Sequence, residues 1–184
     1  MLVVPGCTQS AATANIAAST PAANPEGSAA VVLADALARA DAAATTGKDA
    51  DLTQPLAIIA MLNAQPLDES GRAELAAWQV RNPEQSAPMR GRTLGPGYRH
   101  GTLNAGGDLR IEQTFLSGQK ASIALSSPSG ARLQLQVIDG KEQPVCQNVA
   151  ARPSCAWTPM FTQRHVIHLT NPGNQTTRFY LVIE

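Results

Sequence analysis

From about residue 97 to its last residue, this sequence alternates apolar and polar side chains with a period of two, in short runs broken by Gly, Pro and Asn. No other feature narrows the fold as much. Successive side chains on a strand point to opposite faces, so an alternating run buries one face and wets the other. Leu109, Ile111, Gln113 and Phe115 alternate with Arg110, Glu112 and Thr114. Ala121, Ile123 and Leu125 alternate with Lys120, Ser122 and Ala124, and Leu133, Leu135 and Val137 with Arg132, Gln134 and Gln136. His165, Ile167 and Leu169 alternate with Arg164, Val166 and His168. Turn signals separate the runs at Asn104–Gly107, Leu116–Gly118, Ser127–Gly130, Asp139–Gly140 and Asn171–Asn174. With Tyr98–Leu103, short pieces at Val145–Cys146 and Cys155–Trp157, and the closing run Arg178–Glu184, this makes about eight short strands, the spacing of an antiparallel β-sandwich. Strand–helix alternation is missing here, which argues against a doubly wound α/β fold.

Upstream the composition changes to Ala-rich and the period to that of a helix. Ser28 is placed to cap a helix over 29–44, with Val32, Leu33, Ala36, Leu37 and Ala40 on one stripe and Thr45-Thr46-Gly47 to end it. A second helix is expected over 55–62, with Pro55 in a tolerated first-turn position, and Gln65-Pro66 breaks it. A third runs from Asp68 or Ser70 to Val80, carries Leu75 and Trp78 three apart, and closes at Asn82-Pro83. None is long or apolar enough to fold alone. The stripes are therefore expected to dock on the sandwich, with Trp78 in the buried contact. The sequence divides into a tether or signal remnant over 1–27, a helical region over 28–84, an Arg/Gly/Pro-rich linker over 85–97 and the sandwich over 98–184.

Charge follows the same division. The whole sequence has no net charge, but residues 1–84 hold nine acids against four bases, and residues 85–184 ten bases against five acids. The two parts attract, either because one packs on the other or because the basic part meets an acidic partner. Arg90, Arg92 and Arg99, with Tyr98 beside them, are the candidate binding residues of the second reading. They lack the Lys density of a nucleic-acid arm, and no nucleic acid is expected as a partner.

The first residues, Met1 to Cys7, resemble the end of a bacterial lipoprotein signal, in which the cysteine becomes the lipidated first mature residue. A basic n-region and a full apolar h-region are not present ahead of Cys7. Either the true start lies upstream of Met1 or the likeness is accidental. Residues 8–27 have Ala, Ser, Thr, Asn and Pro without apolar periodicity, a composition expected to stay disordered as a tether.

Residues 98–184 resemble the bacterial pre-peptidase C-terminal type of β-sandwich, a jelly-roll-like accessory domain. The resemblance rests on Gln113–Gln119, on Leu133–Val137 followed by Asp139-Gly140, and on Val145-Cys146. It continues through Cys155–Pro159, Val166–Leu169 ahead of Asn171-Pro172-Gly173, and Arg178–Val182. It implies an extracytoplasmic, non-catalytic domain. Members that bind Ca²⁺ use an acid-rich loop around the central strand; here that strand reads Leu133-Gln134-Leu135-Gln136-Val137, and neither metal nor cofactor is implied.

Residues that could carry chemistry are few. Cys146 and Cys155 stand nine positions apart, and closing that loop would remove roughly 2.5–3 kcal/mol of unfolded-chain entropy. A disulfide is expected, leaving Cys7 for lipidation; the competing reading, a reduced metal or redox pair, lacks CxxC spacing. Trp157 is expected to pack on the bridge, or else to offer a sugar-stacking platform with Tyr98 or Tyr180. His165 and His168 fall on opposite faces of one strand, His165 inward. Asp108 and Glu112 lie too far apart along a strand for paired-carboxylate catalysis, and Arg110 and Lys120 are their expected ion-pair partners. No nucleophile elbow or phosphate loop occurs. The reading is a non-catalytic binding or structural accessory of the bacterial envelope, periplasmic or secreted, meeting a protein or glycan and tethered to the membrane if Cys7 is lipidated. The alternatives are a carbohydrate-binding module and a regulatory subunit of a secreted hydrolase.

Overall fold

The computed structural model describes residues 28–83 and 95–184. Cys7, Arg90, Arg92, the whole of 1–27 and most of the expected linker lie outside them. The described residues hold three helices, α1 (Ala29–Thr46), α2 (Thr53–Met61) and α3 (Glu69–Arg81), with a 3₁₀ turn at Asp49–Leu52. They also hold nine strands, the first between α2 and α3 and the others after α3: β1 (Gln65–Pro66), β2 (Gly97–Leu103), β3 (Asp108–Phe115), β4 (Ala121–Ser126), β5 (Leu133–Ile138), β6 (Pro144–Ala150), β7 (Ser154–Trp157), β8 (Gln163–Thr170) and β9 (Thr177–Ile183). They form a five-stranded sheet in the order β1-β2-β9-β4-β7 and a four-stranded sheet in the order β3-β8-β5-β6. All pairings are antiparallel except that of β1 with β2.

The helix ends are set by local chemistry. Ser28 Oγ accepts from the Val31 amide at 3.3 Å, and Gly47, with φ 71°, takes the left-handed conformation that a residue with a Cβ adopts only at a cost. α1 thus runs two residues past its expected end. Asp68 caps α3 rather than opening it, its Oδ1 accepting from Gly71 N at 2.8 Å. α2 begins at Thr53, two residues early, which still leaves Pro55 in the first turn, where its missing N–H costs no intrahelical hydrogen bond. α2 ends at Met61 with Leu62 as its cap, short of the expected breaker Gln65-Pro66, which instead forms an edge strand, where a proline's missing donor is tolerated.

The sandwich is covered on one side, giving two cores. Between the sheets lie Phe115, Ile123, Leu125, Leu133, Leu135, Val137, Ile167, Leu169, Phe179 and Leu181. Gly101 faces Phe179 across the β2–β9 ladder, and a Cβ there would stand 2.8 Å from the ring. On the outer face of the five-stranded sheet, Tyr98, Ala124, Tyr180 and Val182 meet Leu33, Leu37, Leu52, Leu56, Ile59 and Trp78. The helices dock there, as their apolar stripes require. Ala30, Ala34, Ala36, Ala38 and Ala40 are all buried. Such small side chains let the α1 backbone lie close to its neighbours.

Candidate functional site

The pleat of β2 and β9 turns His100, Arg178 and Tyr180 toward the helices, with His100 and Tyr180 opposite each other in register. α3 brings Glu74 over them and α1 brings Asp41. Tyr180 Oη donates to Glu74 Oε2 at 2.9 Å, and Arg178 Nη2 donates to Glu74 Oε1. Arg178 Nε stands 3.2 Å from Asp41 Oδ2, in an ion-pair contact without hydrogen-bond alignment. His100 Nε2 lies 3.4 Å from Glu74 Oε2, and His100 Nδ1 3.4 Å from Arg178 Nη2. The arginine sits over the Tyr180 ring, its Cζ 5.5 Å from the centroid, and the Trp78 ring packs tilted on Tyr180 at 6.3 Å between ring centroids.

Burial raises the Tyr180 phenol above its ordinary value of 10.0, and the nearby Glu74 and Asp41 carboxylates push it the same way. Tyr98, in the same seam, is raised mainly by burial and then by Glu74 and Asp68. Arg178 is held above its ordinary value: burial opposes its charge, but Tyr180, Glu74 and Asp41 outweigh that. Asp68 is lowered, first by the Gly71 amide hydrogen bond. The Glu74 carboxylate is thus held by a phenol and a guanidinium, and the guanidinium is shared with Asp41. The arrangement fastens helices to sheet. Three open depressions, of ≈ 620, ≈ 440 and ≈ 560 Å³, are lined by other side chains.

Further pairs cross the same seam. Arg152 meets Asp35 at 2.7 Å, and Arg99 approaches Asp68 at 3.9 Å. The opposite charge of the two regions is therefore expressed inside the chain. Of the residues singled out from sequence, Arg99 is partly occupied in this way, and the Tyr98 ring is fully buried, with no face for a ligand. Trp157 packs edge-on against Phe115 at 4.8 Å and against His165 at 5.4 Å, which removes it as a flat platform. Tyr180 is fully buried as well. Cys146 and Cys155 are joined in a disulfide that links β6 in one sheet to β7 in the other.

His165 is inward and buried, its Nδ1 3.2 Å from Gln163 O. His168 is on the other face, 3.0 Å from Asp108. Glu112 pairs with Arg164 at 2.9 Å. The expected partners Arg110 and Lys120 are thus replaced by His168 and Arg164 of β8, because β3 pairs in the sheet with β8 alone. Among the described residues, no three His, Cys, Asp or Glu side chains gather where they could hold a metal.

Sequence reasoning missed Glu74, Asp41, His100 and Arg178 as one network. The available signal was the opposite charge balance of the two regions, which names no pair.

No family model and no curated protein matches this sequence. Solved structures with a similar β-rich layout include a mitogen from Yersinia pseudotuberculosis, 16% identical over 48% of this chain and 84% of that one, with a TM-score of 0.42. The pre-peptidase C-terminal domain of a Bacillus anthracis collagenase is 9% identical over 47% of this chain and 87% of that one, also at 0.42. PliG of Aeromonas hydrophila, a periplasmic inhibitor of g-type lysozyme, is 8% identical over 66% of this chain and 94% of that one, again at 0.42. These are distant likenesses between β-rich folds; neither family membership nor function follows from them.

Proposed function

We propose that the protein is a non-catalytic binding or structural accessory of the bacterial envelope, in which a sandwich of the pre-peptidase C-terminal type is stiffened by a docked helical layer. In this reading residues 1–27 are the tether, lipidated at Cys7. Residues 28–84 form the helical region, 85–97 the linker and 98–184 the sandwich. A protein or glycan of the envelope is the partner. The observation that carries the reading is the Cys146–Cys155 bridge, since disulfides form and persist in oxidising compartments and are rare in the cytosol. The seam network adds support: its acids and bases are turned on one another rather than aimed at a cleft. The carbohydrate-binding alternative loses its aromatic platform, because Tyr98 and Tyr180 are buried and Trp157 is wedged against Phe115 and His165.

The test is fractionation of a bacterial producer, with thiols trapped at lysis and peptides analysed by mass. Recovery from the envelope or medium with Cys146 and Cys155 bridged is expected. Recovery from the cytosol with both thiols free would contradict the reading.

A further inference from the structure

We infer that the end of the sandwich carrying Leu116, Met160 and Phe161 is a contact surface for a lipid bilayer. Leu116 is 50% exposed, Phe161 67% and Met160 82%. A lone exposed apolar residue means little, but these three are gathered by the backbone. Leu116 stands in the turn after β3, and Met160 and Phe161 in the loop before β8. Gly118 N donates to Pro159 O at 2.9 Å, Ser117 Oγ to Met160 O at 2.7 Å and Ser117 N to Thr162 Oγ1 at 3.0 Å. Two loops are thereby fastened into one projecting tip. At such exposures Met160 and Phe161 stand out from the surface rather than lining a pocket, a shape suited to entering the acyl boundary of a membrane.

The course of the chain points to the same occupant. Ser122 Oγ lies 3.4 Å from Ser28 Oγ, and Ser122 is one step along β4 from Ala121, which opens that strand beside Trp157. Ser28, the first described residue, therefore stands at the tip end. From Cys7 to Ser28 an extended chain reaches up to about 70 Å. A lipid on Cys7 would hold this end within that reach of the bilayer. Charges around the tip are mixed: Lys120, Lys141 and Arg164 stand against Glu112, Asp139, Glu142 and Glu184. Attraction to anionic headgroups is therefore not the driving force, and apolar insertion is. The inference rests on the envelope location proposed above.

The experiment uses the full chain with Cys7→Ser, so that no acyl group contributes. It is sedimented with vesicles of phosphatidylcholine and with vesicles of phosphatidylethanolamine and phosphatidylglycerol. Binding to both, with weak salt dependence, is expected. Phe161→Ser should lower the partition coefficient about tenfold, the loss of one inserted side chain. Met160→Ser should act in the same direction, and Val80→Ser, which alters an exposed residue of α3, should change nothing. All three positions are exposed, and circular dichroism checks that each variant folds. Absence of binding by the folded chain, binding indifferent to Met160 and Phe161, or binding restricted to anionic vesicles at low salt would overturn the inference. So would a dimer, seen by sedimentation without vesicles, that the same substitutions dissolve. Envelope recovery with no vesicle binding would remove the tip alone and leave the location standing.

Discussion

The phenol of Tyr180 donates a 2.9 Å hydrogen bond to Glu74 across 106 positions of sequence, tying β9 to α3. The same carboxylate accepts from Arg178, which also reaches Asp41 of α1. One strand thus holds two helices through polar groups set beside an apolar core. A charge-assisted hydrogen bond is worth about twice a neutral one, and removing one member strands the others. We expect Glu74→Ala to lower stability by about 2–3 kcal/mol, less than for a wholly buried pair because Arg178 stays partly exposed. In a double-mutant cycle, Glu74→Ala with Tyr180→Phe should show a coupling of about 1–2 kcal/mol in urea unfolding. Additive losses would mean the bond is incidental.

Alkaline pH gives a second test. Tyr98 and Tyr180, the only tyrosines of the sequence, are both fully buried, and both are raised above the ordinary value of 10.0. A group raised in the folded state contributes stability that is present below its unfolded value and is lost as pH climbs above it. Stability should therefore fall above pH ~10, where only the unfolded chain ionises its phenols. Tyrosinate absorbance should rise together with the loss of far-ultraviolet ellipticity. A tyrosinate signal near the ordinary phenol value in a chain that stays folded would contradict the burial of these rings.

Acid acts through the cap of α3. Asp68 is lowered, so its contribution is present above the ordinary value of 3.8 and is lost as pH falls through the lowered folded value. Asp68→Ala should cost about 1 kcal/mol at neutral pH. The difference from wild type should shrink in acid, while Asp68→Asn, which can still accept from Gly71 N, should lose less at neutral pH.

Trp157 Nε1 is buried without a hydrogen-bond partner in the described structure, while its ring packs on Phe115 and His165. Trp157→Phe removes that donor and keeps an aromatic ring. We expect a change within about 1 kcal/mol, in contrast to ~3–5 kcal/mol for Trp157→Ala. Thermal or urea melts of the two variants decide it, and equal losses would mean that the indole parts missing from Phe, the Nε1–H among them, carry the whole contribution, against this expectation.

The period of two placed most of the sandwich because it reports burial on one face, as in β3, β5 and β8. It was blind to the second core. In β9 the outward Tyr180 and Val182 are covered by helices, so the strand reads as a near-continuous apolar run and its two faces cannot be told apart. Tyr180 and Tyr98 were candidate platforms for that reason: alternation marks a face but not what lies on it. The charge balance foretold an attraction between the regions, yet the partners of Arg178 depend on the register of β2 with β9 and on the path of α1 and α3. The tip was hidden because Leu116, Met160 and Phe161 sit in turns, where no periodicity separates exposed from buried.

The central claim is that helices and sandwich form one cooperative body, and the two tryptophans report its two cores. Trp78 is buried in the helix–sheet core, while Trp157 packs at the inter-sheet core. Urea unfolding of Trp157→Phe followed by Trp78 fluorescence, and of Trp78→Phe followed by Trp157 fluorescence, is the most direct measurement. Far-ultraviolet circular dichroism is recorded on each variant as its own reference. Within each variant, fluorescence and circular dichroism should give one coincident transition. A Trp78 transition completed at lower urea than the main loss of strand signal would mean that the helical layer melts off a self-sufficient sandwich, and the single-body account would fail.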